Sequence, residues 1–83
     1  MNMSLIIYTK TGCGWCAEAL QFLRDNNVAY EEREVLSNEE YFKELEEKSG
    51  QTKTPTLDLD GKILANTEAA AIEVWLKESG VLS

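Results

Sequence analysis

Residues 4 to 8, SLIIY, form a short apolar run rich in β-branched side chains, with no polar alternation. Such a run reads as a buried strand, and a buried strand needs other elements packed around it. The rest of the chain supplies them in order. After TKTG, the residues Cys16, Leu20 and Leu23 fall on one face of a helix with Ala19 beside them, and Asn26 or Asn27 can end it. In VAYEEREV, Val28 and Tyr30 have strand spacing before a charged run, which predicts a second strand over residues 28–35. In SNEEYFKELEEKSG, Ser37 and Glu40 have capping-box spacing and Gly50 supplies the stop, so a second helix follows with its glutamates on a solvated face. PTLDLDGKIL alternates, with Leu57 and Leu59 inward and Asp58 and Asp60 outward, and Asp60-Gly61 marks a hairpin. Residues 67–79 predict a third helix carrying Ile72, Trp75 and Leu76 on one face, ended by Gly80. Trp75 reads as core. The order is β-α-β-α-β-β-α. Its first βαβ unit is a right-handed parallel crossover, and the hairpin completes a four-stranded mixed sheet flanked by helices. The fold class is α/β.

With 83 residues the chain has room for one domain, residues 1–83. Its 43% hydrophobic content and two tryptophans describe a folded globule. A net charge of −7 repels nucleic acid and argues against it as a partner. Residues 1–9 hold only a five-residue apolar run, too short for a signal-peptide core or a membrane span. The expected setting is the cytoplasm, where structural disulfides are rare. There a lone cysteine pair is expected to be catalytic or metal-binding.

That pair is Cys13 and Cys16, in TGCGWCAEALQFL. Three residues apart at a helix start, they are close enough for a disulfide. The N–H groups of the helix start and the nearby Lys10 both favour a negative sulfur on Cys13, and the thiolate is the attacking form. Cys16, on the face of Leu20, is expected to be the buried resolving partner. Gly12 and Gly14 leave the approach to Cys13 open and Trp15 offers an exposed aromatic wall. Two readings compete. Buried core cysteines do not suit a glycine-flanked helix start. A zinc site takes about four ligands, and a chain with no histidine and two cysteines supplies two.

The stretches IIYTKTGCGWC and TPTLDLDGKIL together make the chain similar to the glutaredoxins, a family of the thioredoxin superfamily. The likeness covers nearly the whole chain and implies the minimal thioredoxin fold. It implies a cis Thr54-Pro55 bond, which sequence alone supports only at about 5–6%. Pro55 would then pack beside the active-site disulfide, and Thr54 would offer its backbone to a substrate as an added strand. It also implies a glutathione site. Lys10 would meet the glycyl carboxylate, Thr54 the cysteinyl backbone, and Trp15 would wall the groove where the family usually has Tyr or Phe. At the γ-glutamyl end the family has a Gly-Gly pair, a small polar residue and an aspartate, where this chain has Ala65-Asn66-Thr67-Glu68. Thr67 and its backbone N–H are expected to cap the last helix and receive a carboxylate, with Glu68 in place of the aspartate. Lys53 also departs, standing where a threonine is common.

The activity implied is that of a glutathione-dependent thiol–disulfide oxidoreductase, monomeric and not membrane-bound. Glutathione is the co-substrate, and disulfide-containing or glutathionylated proteins are the clients. Gly14, where dithiol members commonly have proline, carries an alternative: a [2Fe-2S] cluster held between two subunits by Cys13 and glutathione. The altered residues 65–68 carry another, reduction by thioredoxin reductase.

Overall fold

The computed structural model describes residues 4–83, so the first three residues of the stretch 1–9 lie outside it. The apolar run becomes β1 (Leu5–Thr9), followed by α1 (Gly14–Asp25), β2 (Glu31–Glu34), α2 (Glu39–Ser49), β3 (Thr56–Leu59), β4 (Lys62–Leu64) and α3 (Ala69–Glu78). The sheet order is β2-β1-β3-β4, which puts β1 at the centre, parallel to β2 and antiparallel to β3. The β3–β4 hairpin turns on Asp60 and Gly61, both at positive φ (51° and 94°), as a two-residue loop requires.

Period-2 alternation divides the two faces. Leu5, Ile7, Leu57 and Leu59 meet Ala19, Leu20 and Leu23 of α1 and Ile72 and Leu76 of α3 in the main core. Trp75 lies partly buried against it. The other face carries Tyr8, Val35 and Leu45, edged by Ile6, Tyr41 and Phe42. This layer is finished by charge. The Tyr8 hydroxyl donates to Glu44 (2.9 Å) and accepts from Lys48 Nζ (2.8 Å), which also reaches Asp58 (2.8 Å). Arg33 pairs with Glu31 and Glu44 and lies over the Tyr41 ring.

Four expectations are corrected. Asp58 does not face solvent: it is 7% exposed, because α2 covers that face and Lys48 and the Gly61 N–H (2.7 Å) hold its carboxylate. The second strand is only Glu31–Glu34. Val28 ends α1, donating to the Leu23 carbonyl (2.9 Å) past Asn27 at φ 55°, and with Tyr30 it packs on the core from outside the sheet. The cap of α2 is Asn38, whose side chain accepts from Glu40 and Tyr41 N–H, so Ser37 falls one residue early. The third helix begins at Ala69 with Glu68 as its cap, two residues later than expected. Gly50 ends α2 at φ 68°, as expected. No helix among the described residues is long and apolar enough to cross a membrane.

Candidate active site

Three loops meet at the end of the sheet where β1 stops and β3 starts. The first leaves β1 as a tight turn: the Cys13 N–H donates to the Lys10 carbonyl (3.1 Å), and Gly12 sits at φ 86°. A positive φ at the third residue of such a turn is what glycine allows. Cys13 is then the N-cap of α1, and its sulfur accepts the Cys16 N–H at 3.1 Å. That donor would meet a negative sulfur equally well. Cys13 and Cys16 are joined as a disulfide with Cα atoms 5.2 Å apart. The partners differ in access: Cys16 is 2% exposed, while Cys13 is half-buried.

The second loop is the Thr54-Pro55 turn, cis at that bond. It brings the Thr54 hydroxyl to 3.7 Å and the Thr54 carbonyl to 3.9 Å from the Cys13 sulfur. Pro55 is buried, and its carbonyl accepts the Thr67 N–H (2.9 Å), which ties this turn to the third loop. Thr56 strengthens the tie, because its hydroxyl oxygen accepts from Asn66 N–H (3.1 Å) and donates to the Lys53 carbonyl (2.8 Å).

Trp15, Thr54, Asn66, Thr67 and Glu68 line a groove of about 190 Å³ beside the disulfide. Trp15, 62% exposed, is its outer wall. Of the residues singled out from sequence, Cys13, Cys16, Trp15, Thr54, Thr67 and Glu68 come together here. Lys10 stays in the turn beside Cys13 and does not line the groove, and Pro55 lies beneath it. Lys10 and Lys53 have no ion pair among the described residues.

One part of the expected site is corrected. The Thr67 N–H is not free to receive a carboxylate, since Pro55 already accepts it, and Thr67 does not cap α3. Glu68 does, accepting from Ala70 N–H (3.1 Å) and Ala71 N–H (2.9 Å). The Thr67 hydroxyl is buried, in a residue 8% exposed, and has no hydrogen-bond partner among the described residues. A larger concavity of about 430 Å³, between residues 4–6 and 29–33, lies at the other end of β1 and holds no sulfur.

Two supporting residues were not singled out from sequence. Gln51 braces the proline turn, donating to Ser49 (2.7 Å) and Thr56 (3.2 Å) and accepting the Lys53 N–H (2.6 Å). Glu34 braces the cysteine turn, accepting from Thr11 N–H (2.6 Å), Thr11 hydroxyl (3.1 Å) and Ser37 N–H (2.7 Å). Desolvation raises the Glu34 carboxyl, but the hydrogen bonds from Thr11 and Ser37 outweigh it and hold it at about 2. Neither residue carries a local sequence signal, because the partners lie in other elements.

A cysteine pair with one accessible sulfur is thus set against a cis-proline turn at a sheet end. The fold is thioredoxin-like, and proteins of that superfamily are in general oxidoreductases. The crystal structure of the thioredoxin-like protein BC3987 superposes with a TM-score of 0.79 at 30% identity, covering 86% of this chain and 97% of that one. The Glutaredoxin family model matches residues 5–64. The chain belongs to the glutaredoxin family. Glutaredoxin 1 of Rickettsia conorii is 32% identical over 68 residues, spanning 80% of this chain and 67% of that protein. Hybrid peroxiredoxin hyPrx5 of Haemophilus influenzae is also 32% identical, over 65 residues, but the chain spans only 27% of its length.

Proposed function

We propose that the protein reduces protein disulfides and glutathione mixed disulfides, with glutathione as its co-substrate. The observation that carries this reading is the groove lined by Trp15, Thr54, Asn66, Thr67 and Glu68, beside the Cys13 sulfur. A small peptide thiol lying there would run along Thr54 and Thr67 while its own sulfur met Cys13.

The chemistry follows from the two sulfurs. Cys13 thiolate attacks one sulfur of a client disulfide, which expels the other client sulfur as thiolate and leaves a client–Cys13 mixed disulfide. Cys16 thiolate then attacks the Cys13 sulfur and releases the second client thiolate. The product is the Cys13–Cys16 disulfide of this structure. Two glutathione molecules return two electrons: the first opens the pair as glutathionyl-Cys13, and the second removes that group as glutathione disulfide. With a glutathionylated client, Cys13 thiolate attacks the glutathione sulfur and expels the client thiolate, and one glutathione then removes the glutathionyl group as glutathione disulfide. The Cys16 N–H and the Thr54 hydroxyl face the sulfur that carries charge between steps. We place the reaction in the reducing cytoplasm, carried out by a monomer on protein clients.

The likeness to the thioredoxin-like protein BC3987 favours a second reading, in which thioredoxin reductase supplies the electrons. A [2Fe-2S] cluster, by contrast, takes about four ligands. Cys16 is 2% exposed, so each chain offers one outward sulfur, Cys13, and the expected cluster would take its four ligands from the Cys13 sulfurs of two chains and two glutathiones. The test is turnover of a disulfide with NADPH and either glutathione plus glutathione reductase or thioredoxin reductase. Turnover with glutathione is expected. Turnover with thioredoxin reductase alone would replace the proposal by the second reading.

A further inference from the structure

The turn that delivers Cys13 does not hold itself. Its own hydrogen bond, from Cys13 N–H to the Lys10 carbonyl, leaves the N–H of its second residue, Thr11, pointing away from the turn. The adjacent strand takes that donor. Glu34 is the last residue of β2 and lies opposite Thr9 in the parallel ladder, which the Val35 N–H extends by one bond to the Thr9 carbonyl (2.9 Å). From there its carboxylate accepts both the N–H and the hydroxyl of Thr11 and, on the far side, the Ser37 N–H. Two residues earlier on the same face of β2, Glu32 accepts the Thr9 hydroxyl at 2.7 Å. Two carboxylates of one strand thus fasten alternate residues of the segment running into Cys13. Glu34 is the only one of the two that reaches the turn itself.

We infer that Glu34 is a positioning residue for disulfide exchange, setting the Cys13 sulfur against Thr54 by fixing the turn of residues 10–13. Its carboxylate acts through Thr11 and does not touch the sulfur. Loss of the brace lets the turn pivot about Gly12, whose φ of 86° is easily changed in glycine. The 3.7 Å and 3.9 Å approaches of Thr54 to the sulfur then loosen. A client that pairs with Thr54 needs both held together, whereas a small disulfide that approaches the sulfur alone does not. The inference rests on the reading of Cys13 as nucleophile but not on glutathione.

The test compares wild type, E34A and E34Q in the reduced state with two neutral probes, a peptide bearing a thiopyridyl disulfide and dipyridyl disulfide alone. Rates are taken on the high-pH plateau, where Cys13 is fully thiolate, and Thr11 amide exchange is followed by NMR. E34A is expected to react about tenfold more slowly with the peptide probe and within about twofold of wild type with the small one. The Thr11 amide should exchange at least about tenfold faster. E34Q, which keeps an accepting oxygen without the charge, should fall between the two. It also carries the test alone if E34A does not fold. Equal loss on both probes would mean an effect on the sulfur and would overturn positioning. So would wild-type rates on the peptide probe, or unchanged Thr11 exchange. A wild type that reacts with both probes yet fails with glutathione would overturn only the glutathione reading.

Discussion

Substitution of Thr67 by valine separates what this groove costs from what it does. Thr67 is 8% exposed and its hydroxyl has no partner among the described residues, while its N–H is engaged by the Pro55 carbonyl. Valine keeps the volume and the β-branching and removes only the buried polar atom. Mutational data put the penalty of an unpaired buried hydroxyl at about 1–3 kcal/mol. We take the low end, about 1 kcal/mol, because a hydroxyl can rotate toward weak acceptors. For a domain of this size that raises Tm by about 4–8 °C. Function should move the other way. If the groove adjusts on binding so that this hydroxyl reaches a carboxylate of glutathione, the hydrogen bond contributes about 1.5–3 kcal/mol, and its loss should raise KM for glutathione by about 10- to 150-fold. The assays are a calorimetric melt of the oxidised protein and a glutathione titration with a glutathionylated peptide as substrate. A Thr67→Val protein that melts at or below wild type would show that the hydroxyl is satisfied in the free protein. A higher Tm with unchanged KM would show that the groove does not take the carboxylate end of glutathione.

The sulfur roles predict that Cys13→Ser abolishes all turnover, whereas Cys16→Ser keeps reduction of glutathione mixed disulfides and loses reduction of protein disulfides; dithiol activity in Cys16→Ser would refute the assignment. On the other face, Lys48→Met leaves the Asp58 carboxylate buried with only the Gly61 N–H, at a cost of about 2–3 kcal/mol. That is below the range for a fully buried pair because the Lys48 side chain is 32% exposed. The double variant Lys48→Met with Asp58→Asn should regain part of the loss in urea unfolding, and an unchanged midpoint in the single variant would refute the argument. Glu34, held at about 2 against an ordinary 4.5, contributes stability that is complete above about pH 4.5 and is lost as pH falls toward 2. Its carboxyl carbon should titrate near 2 by NMR, and a midpoint near 4.5 would mean that the brace on Thr11 is not formed.

How much the sequence shows depends on how far a residue's partner lies along the chain. SLIIY, the Asp60-Gly61 turn and the Gly50 stop are settled by their own residues, and the fold was legible from them. The sulfur pair was legible for the same reason, since both members sit on one turn of helix. The cis bond at Pro55 was not; it came from the family resemblance, because a Thr-Pro dipeptide alone favours trans. Helix starts slipped by a residue or two where neighbours compete. Ser37 and Asn38 can both cap, and Asn38 wins because Ser37 is taken by Glu34.

The inward-facing polar residues of β3 have a different cause. Alternation in TLDL assigns Thr56 and Asp58 to a face but does not say what covers that face. Here α2 covers it, and the sheet supplies polar atoms where an apolar layer would otherwise form. Those atoms had to find partners. Asp58 takes Lys48, and Thr56 takes Gln51, Lys53 and Asn66. Glu31 and Arg33 of the charged run pair with each other, and Arg33 also takes Glu44. The Thr56 bonds fix the proline turn and the start of the third loop, which are two walls of the groove. Glu32 and Glu34 fix the segment that carries Cys13. The residues least readable from sequence are therefore the ones that hold the readable sulfurs in place, which is why substitutions in a charged strand are predicted to reach the chemistry at Cys13.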